Sequence, residues 1–330
     1  MSRFQELVIE LTDRCPMSCL HCSSTSGPAC KSSLTIEIVR RLLTEAAKLQ
    51  AGQVSFGGGE PTVAGCFEEA IRETIGMGFS AEVFTCGANL SLIGRPVPLS
   101  NDLIANLSAF RGRLTFVFSF HGSRKDIHDQ TTGVDGSFDC MTESLRRCLV
   151  SGIPCTANFV PTKLNVADFQ NLVMLLESLS IPKLSILRFV PQGRGLLNRQ
   201  RLELDREVED AFVEELLRVR EGTSIQIRTG SPFNGIVPDN NVPCRAGHQK
   251  LVIQANGNVL PCEVFKHHVR SDWGASVYQM RLDDVMASSK FDALHKTLLK
   301  GCCATCPVHG ALRSNQSHSG VFHGVSEAKV

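Results

Sequence analysis

Up to about residue 220, short apolar runs alternate with longer stretches of helical period. Residues 7–11, 53–56, 81–85, 114–120, 154–160 and 184–190 are apolar or β-branched runs of strand length. Between and after them lie residues 35–50, 67–77, 102–110, 139–150, 166–179 and 205–220, where apolar positions recur at helical spacing. In the first of these, Thr35 stands at the N-cap position and Ile36, Val39, Leu43 and Ala47 share a face. Six strands, each followed by a helix, imply parallel pairing with right-handed crossovers. A closed barrel takes eight such units. The pattern therefore predicts an α/β fold, a partial (βα)6 parallel barrel over residues 1–222.

Beyond this point the pattern changes. Residues 223–242 are rich in Gly, Pro and Asn and read as a linker or loop. Residues 250–254 and 259–264, joined by Asn256-Gly257-Asn258, read as a β-hairpin, because Asn-Gly accepts the positive φ of a tight turn. Cysteines flank the hairpin, so residues 223–310 are expected to form a small hairpin/helix domain. Residues 311–330 hold Ser, His and Gly with few large apolar side chains, which predicts a flexible tail.

Composition narrows the function classes. The 330 residues are 42% apolar and 20% charged, as in an ordinary globular protein. A net charge of +1 gives no electrostatic reason to expect nucleic acid or an anionic membrane as partner. One Trp and one Tyr argue against stacking platforms for single-stranded nucleic acid. No run reaches the ~18 apolar residues that span a bilayer. The first ten residues lack the basic-then-apolar order of a signal peptide. The expected location is cytoplasmic, and there fourteen cysteines point to metal or catalysis rather than disulfides.

Cys15, Cys19 and Cys22 form a C-x3-C-x2-C motif directly after the first strand. Three thiolates hold three irons of a [4Fe–4S] cube and leave the fourth iron open to an exchangeable ligand. A structural zinc knot with His21 as fourth ligand is the alternative. Gly57-Gly58-Gly59-Glu60-Pro61-Thr62 follows the second strand. Glycines let a ligand approach the backbone, and Glu60 can accept from an ammonium group. A plain turn is the alternative.

Together these motifs resemble the radical S-adenosylmethionine (SAM) superfamily, in which the cysteine triplet and a glycine–glycine–glutamate motif follow the first two strands. The resemblance implies that the open iron binds the amino and carboxylate groups of SAM. It further implies that Gly58, Gly59 and Glu60 hold the amino group. Thr85-Cys86-Gly87 stands where the family often has Thr-Asn-Gly, with Cys86 a departure. Ser119-Phe120-His121-Gly122 ends the fourth strand, where relatives carry a serine near SAM and often an aspartate in place of His121. Asn158 and Arg188, on the fifth and sixth strands, resemble residues that contact the ribose and the SAM carboxylate. A structural role is the alternative for each. Active sites of such barrels lie at the C-terminal ends of the strands. The resemblance spans residues 7–201.

Downstream, Cys244 is followed by twelve residues, Gly257, four residues and Cys262, and then by Cys302-Cys303-Ala304-Thr305-Cys306. This resembles the auxiliary-cluster extension called SPASM, or its shorter form, twitch. No cysteine follows Cys306, which favours one auxiliary [4Fe–4S] cluster on Cys244, Cys262, Cys303 and Cys306. Cys302 could replace Cys303, and zinc on the same four residues is the alternative. The cysteines outside these sets, Cys30, Cys66, Cys86, Cys140, Cys148, Cys155 and Cys302, read mostly as small buried hydrophobes. Cys140 and Cys148, eight residues apart on one helix, are expected to pack on similar faces.

The resemblance implies reductive cleavage of SAM to methionine and a 5′-deoxyadenosyl radical, which takes a hydrogen atom from substrate. A closed auxiliary cluster suits electron transfer and hence net oxidation. The expected substrate is a ribosomally made peptide. A sugar or aminocyclitol dehydrogenase or epimerase is the alternative, and a non-catalytic metal-binding protein is the alternative of another class. The first strand starts near residue 6, so no N-terminal peptide-recognition domain is expected. Implied partners are the peptide or small-molecule substrate and an electron donor such as flavodoxin or ferredoxin. Cys86 is the candidate hydrogen donor if the reaction is epimerisation, and dispensable if it is oxidation. Arg188, Arg194, Arg199 and Arg201 read as a solvated basic loop.

Overall fold

The apolar runs become strands of one sheet, and their alternation decides which way each faces. The computed structural model of the chain describes residues 4–91, 94–266 and 275–299. Its main sheet contains β1 (Glu6–Thr12), β2 (Gln53–Gly58), β3 (Ser80–Thr85), β4 (Leu114–Phe120), β5 (Cys155–Phe159), β6 (Lys183–Ile186), β7 (Gln226–Thr229), β8 (Lys250–Ile253) and β9 (Val259–Leu260). The spatial order is β9-β8-β1-β2-β3-β4-β5-β6-β7. Every neighbouring pair is parallel except β8 with β9.

All six predicted units are present, joined by α1 (Ile36–Lys48), α2 (Phe67–Gly76), α3 (Asn101–Ser108), α4 (Lys125–Thr132), α5 (Ser137–Val150), α6 (Phe169–Ser178) and α7 (Arg206–Gly222). The pattern does not signal β7, which lies in the stretch read as a linker and extends the sheet beside β6. The Asn-Gly hairpin forms, with Gly257 at φ 85°. Its first strand pairs in parallel with β1, so the hairpin continues the barrel sheet at the opposite edge. Two further helices, α8 (Leu282–Ala287) and α9 (Ser289–Leu299), follow it.

The core lies between sheet and helices. Leu7, Ile9 and Leu11 of β1, Val54 and Phe56 of β2, and Phe116, Phe118 and Phe120 of β4 face it. Burying each such side chain contributes about 1.5–3 kcal/mol. In α1 the buried stripe is Val39, Leu42, Leu43 and Ala46. Ala47 is exposed, since it drifts off that face at 100° per residue. Thr35 takes the N-cap position, but its side chain makes no cap hydrogen bond and pairs with Glu37 instead. Cys140 and Cys148 do not share a packing site. Cys148 lies in the main core, while Cys140 packs beside Cys15, Met17 and Cys86.

Strand residues of the other parity face away from the helices and are largely polar: Glu6, Glu10, Ser55, Glu82, Ser119 and Asn158. A parallel sheet covered by helices on both faces is apolar throughout its strands. Here the alternation leaves one polar face, and the site is built on it. Among the described residues, no helix is long and apolar enough to cross a membrane.

Candidate active site

The cysteine loop leaves the C-terminal end of β1 and is held from two sides. The last carbonyls of α4 point at it: Ser18 N–H donates to Thr132 O at 3.0 Å and Leu20 N–H to Thr131 O at 2.9 Å. Helix α4 ends with Gly133 at φ 68°, where a Cβ would lie 3.1 Å from Ser18 O. Asp129 fixes the next turn by accepting from Gly136 N–H at 2.7 Å, Phe138 N–H at 2.8 Å and Ser137 Oγ at 2.7 Å. The three cysteines thereby come together. Burial, then Cys15 and Cys22, push the Cys19 thiol well above its usual range, and nearby Arg194 pulls it back. Three clustered thiols with no fourth cysteine ligand in the motif suit a cube with an open iron.

The glycine-rich turn is stitched to this loop. Gly59 N–H donates to Thr12 O at 2.7 Å and Glu60 N–H to Arg14 O at 2.8 Å. A Cβ on Gly58 would lie 2.3 Å from Thr12 O, and one on Gly59 2.2 Å from Arg14 O. No side chain fits at either position.

Glu60 is fully buried. Its Oε1 accepts from Thr62 Oγ1 at 2.7 Å, Thr85 Oγ1 at 2.8 Å and Thr62 N–H at 3.2 Å. Its Oε2 accepts from Cys86 N–H at 2.7 Å, and the Cys86 thiol also contacts the carboxylate. Burial raises the carboxyl pKa although these donors lower it. Among the described residues no basic side chain pairs with Glu60. A buried carboxylate with donors but no cation fits the ammonium group of a ligand.

Ser119 and Asn158 are register partners on β4 and β5 and face the same polar side. Among the described residues, neither side chain is engaged in a hydrogen bond. Arg188, just past β6, lies 3.7 Å from Glu209 of α7. Cys86 sits at the centre of the site. Its thiol is in hydrogen-bond contact with Cys15, which with burial raises its pKa well above normal.

Three histidines meet the cluster loop, and only two of them are signalled by the motifs. The rings of His21 and His121 are 4.7 Å apart, and those of His121 and His128 5.1 Å. Burial lowers His21 and His128 to about 4 and His121 well below its usual value, so all three are neutral at pH 7. Among the described residues, Nδ1 of His21 and Nδ1 of His121 are buried without a partner, as expected where a polar ligand completes the site. Cys19, His21 and His121 also place three ligand atoms within 4.8 Å of one another. His128 lies outside every motif, and no local signal marks it.

Of the arginines between β6 and α7 only Arg201 is exposed to solvent, and Arg188, Arg194 and Arg199 are engaged. Arg199 pairs with Glu203 at 2.5 Å, and Arg194 donates to backbone carbonyls of the cysteine loop. Tertiary packing, not local composition, sets these contacts.

In the C-terminal part, Cys244 and Cys262 pack in one apolar cluster with Ala246, Phe265 and Leu294. Burial, and then Glu263, raise the Cys262 thiol. Burial disfavours the Glu263 carboxylate, but Lys250 at 2.7 Å overcomes this and holds it down to about 2. Lys266 joins this region to the barrel by pairing with Glu10 and donating to Ser24 Oγ. Cys302, Cys303, Cys306 and the expected tail at 311–330 lie outside the described residues.

Known proteins resemble this chain in sequence and in fold. The radical SAM superfamily model matches residues 9–176, half of the chain, and the SPASM iron–sulfur cluster-binding domain model matches residues 244–307. The mycofactocin maturase MftC of Mycolicibacterium smegmatis is 27% identical over 97% of this chain and 79% of its own length. The PqqA peptide cyclase of Methylocella silvestris is 26% identical over 91% of this chain and 79% of its own length. Among solved structures, Streptococcus suis SuiB bound to SAM superposes with a TM-score of 0.70 at 19% identity, over 94% of this chain and 68% of that one. The native enzyme anSMEcpe with bound SAM gives 0.69 at 17% identity, over 92% and 90%. These superpositions show the shared fold. With both domain models matched, the cofactors are SAM, its [4Fe–4S] cluster and auxiliary iron–sulfur binding in the C-terminal part. The chain belongs to the radical SAM superfamily.

Proposed function

We propose that this enzyme modifies a ribosomally made peptide by radical chemistry, with net loss of two hydrogens from the product. One observation carries the reading. Similarity to a mycofactocin maturase and to a PqqA peptide cyclase runs through both modules, over 97% and 91% of this chain.

The chain's own residues divide the work. Cys15, Cys19 and Cys22 hold the first cluster. Glu60 receives the amino group of SAM on Oε2, with Gly58 and Gly59 giving the close approach. Ser119, Asn158 and Arg188 line the rest of the SAM site. Cys244, Cys262, Cys303 and Cys306 hold one auxiliary [4Fe–4S] cluster. When bound, cluster and SAM supply a 5′-deoxyadenosyl radical that abstracts a hydrogen atom. The polar sheet face orients the reactants and excludes side reactions. The one-electron donor is a flavodoxin or ferredoxin, and the setting is the cytoplasm.

The test is coexpression with each short reading frame adjacent to the gene, followed by mass spectrometry of the peptide. A peptide two hydrogens lighter, absent with a Cys15→Ala variant, is expected. Unmodified peptides throughout, alongside turnover of a sugar or aminocyclitol, would replace this reading.

A further inference from the structure

The cysteine loop is clamped from outside by the segment that follows β6. Arg194 N–H donates to Cys22 O at 3.0 Å. Its Nε donates to Cys19 O at 3.0 Å and its terminal nitrogen to Ser26 O at 2.6 Å. Asn198 Nδ2 adds a bond to Leu20 O at 3.3 Å. The flanking glycines let the two backbones touch. A Cβ on Gly193 would lie 2.6 Å from Ser23 O, and one on Gly195 3.1 Å from His21 O.

An irregular loop must satisfy its carbonyls with outside donors. The planar guanidinium fork reaches two of them at once, which a lysine ammonium on its flexible stem does less well. Arg194 is half-buried, and among the described residues no carboxylate pairs with it. Its positive charge therefore sits directly against the backbone of Cys19, one of the three cluster cysteines.

We propose that Arg194 is a positioning residue of the first cluster: it closes the cysteine loop through the Cys19, Cys22 and Ser26 carbonyls and raises the cluster's reduction potential with its unpaired charge. A cube on three thiolates carries one negative charge when oxidised and two when reduced, so a nearby cation favours the reduced form. The proposal rests on Cys15, Cys19 and Cys22 being the ligands of that cluster.

The experiment is an electron-paramagnetic-resonance redox titration of the reconstituted holoenzyme. Dithionite serves as the one-electron reductant. The first-cluster signal is identified as the one missing when Cys15, Cys19 and Cys22 are all replaced by alanine. Persistence of every signal in that triple variant would sink the ligand assignment itself, independently of Arg194. Arg194→Gln keeps a neutral donor and is expected to lower the reduced-to-oxidised ratio at fixed potential about tenfold, a shift of about 59 mV for one electron. Arg194→Lys keeps the charge. It is expected to stay within about twofold of the wild-type ratio while releasing iron to a chelator faster, because one ammonium spans the carbonyls less well. A purely structural role would change iron release in both variants and leave the potential where it is, and that result overturns the electrostatic claim. If Arg194→Gln holds no cluster, the Lys variant decides alone: a tenfold loss there would overturn the charge argument. Unchanged potential and iron release in both variants would overturn the proposal entirely.

Discussion

The backbone N–H of Cys86 donates to Glu60 Oε2 at 2.7 Å, which ties the turn after β3 to the turn after β2 through one buried carboxylate. Oε1 takes three donors from Thr62 and Thr85, so Oε2 is the less occupied side and the one open to a ligand.

Glu60→Gln keeps the shape of the carboxylate and removes its charge. A charge-assisted hydrogen bond contributes roughly 1.5–3 kcal/mol, so SAM affinity is expected to fall about tenfold or more with iron content unchanged. Burial raises the Glu60 pKa. Acidification therefore protonates it earlier than an exposed glutamate near about 4.3, and wild-type affinity should fall with it. The Gln variant should lack that pH dependence. Equal affinity and equal pH profiles would remove Glu60 from SAM binding.

Gly59→Ala tests the seam between motif and cluster loop. The new Cβ would meet Arg14 O at 2.2 Å and Arg14 C at 2.6 Å, both backbone atoms. Neither can swing aside, so β1 and the glycine turn must separate. Chemical denaturation should show a loss of about 1–3 kcal/mol, as overpacking produces, together with weaker SAM binding. Wild-type values for both would mean that the seam tolerates a side chain.

How much of this was legible in the sequence follows physical lines. The six strands β1–β6 carry apolar side chains towards the helices, and a run such as residues 114–120 announces itself. Strand β7 does not, because Gln226 and Arg228 alternate with Ile227 and Thr229 in a stretch of Gly, Pro and Asn. The Asn-Gly turn of the β8–β9 hairpin is a local signal. The pairing of Leu251 with Leu7 is a contact between distant parts of the chain and has none. The same division holds in the site. Cys15, Cys19, Cys22 and Glu60 lie in spaced motifs, whereas Arg194 becomes a clamp only once packing turns it towards the Cys19 carbonyl.

Metal content tests the two cysteine sets. Two cubes hold about eight irons and eight sulfides per chain. Replacing Cys15, Cys19 and Cys22 together with alanine should halve the iron. An anaerobically reconstituted wild type with about four irons would remove the auxiliary cluster, and zinc in place of iron would favour the site formed by Cys19, His21 and His121.

Cys86 separates oxidation from epimerisation. An epimerase must return a hydrogen atom to the substrate radical, and a thiol is a suitable donor. Here the Cys86 thiol lies against Cys15 and the Glu60 carboxylate. Net oxidation predicts that Cys86→Ala still turns over in deuterium oxide, with product two hydrogens lighter. Product of unchanged composition carrying one solvent deuterium at carbon, with that variant inactive, would make this an epimerase.

Radical chemistry started at the cysteine loop after β1 is most directly tested by incubating the anaerobically reconstituted protein with SAM and dithionite and measuring 5′-deoxyadenosine by mass spectrometry. The wild type should form 5′-deoxyadenosine and methionine in equal amounts, and the variant lacking Cys15, Cys19 and Cys22 should form none. No 5′-deoxyadenosine from an iron-replete wild type, or the same amount from the triple variant, would contradict it.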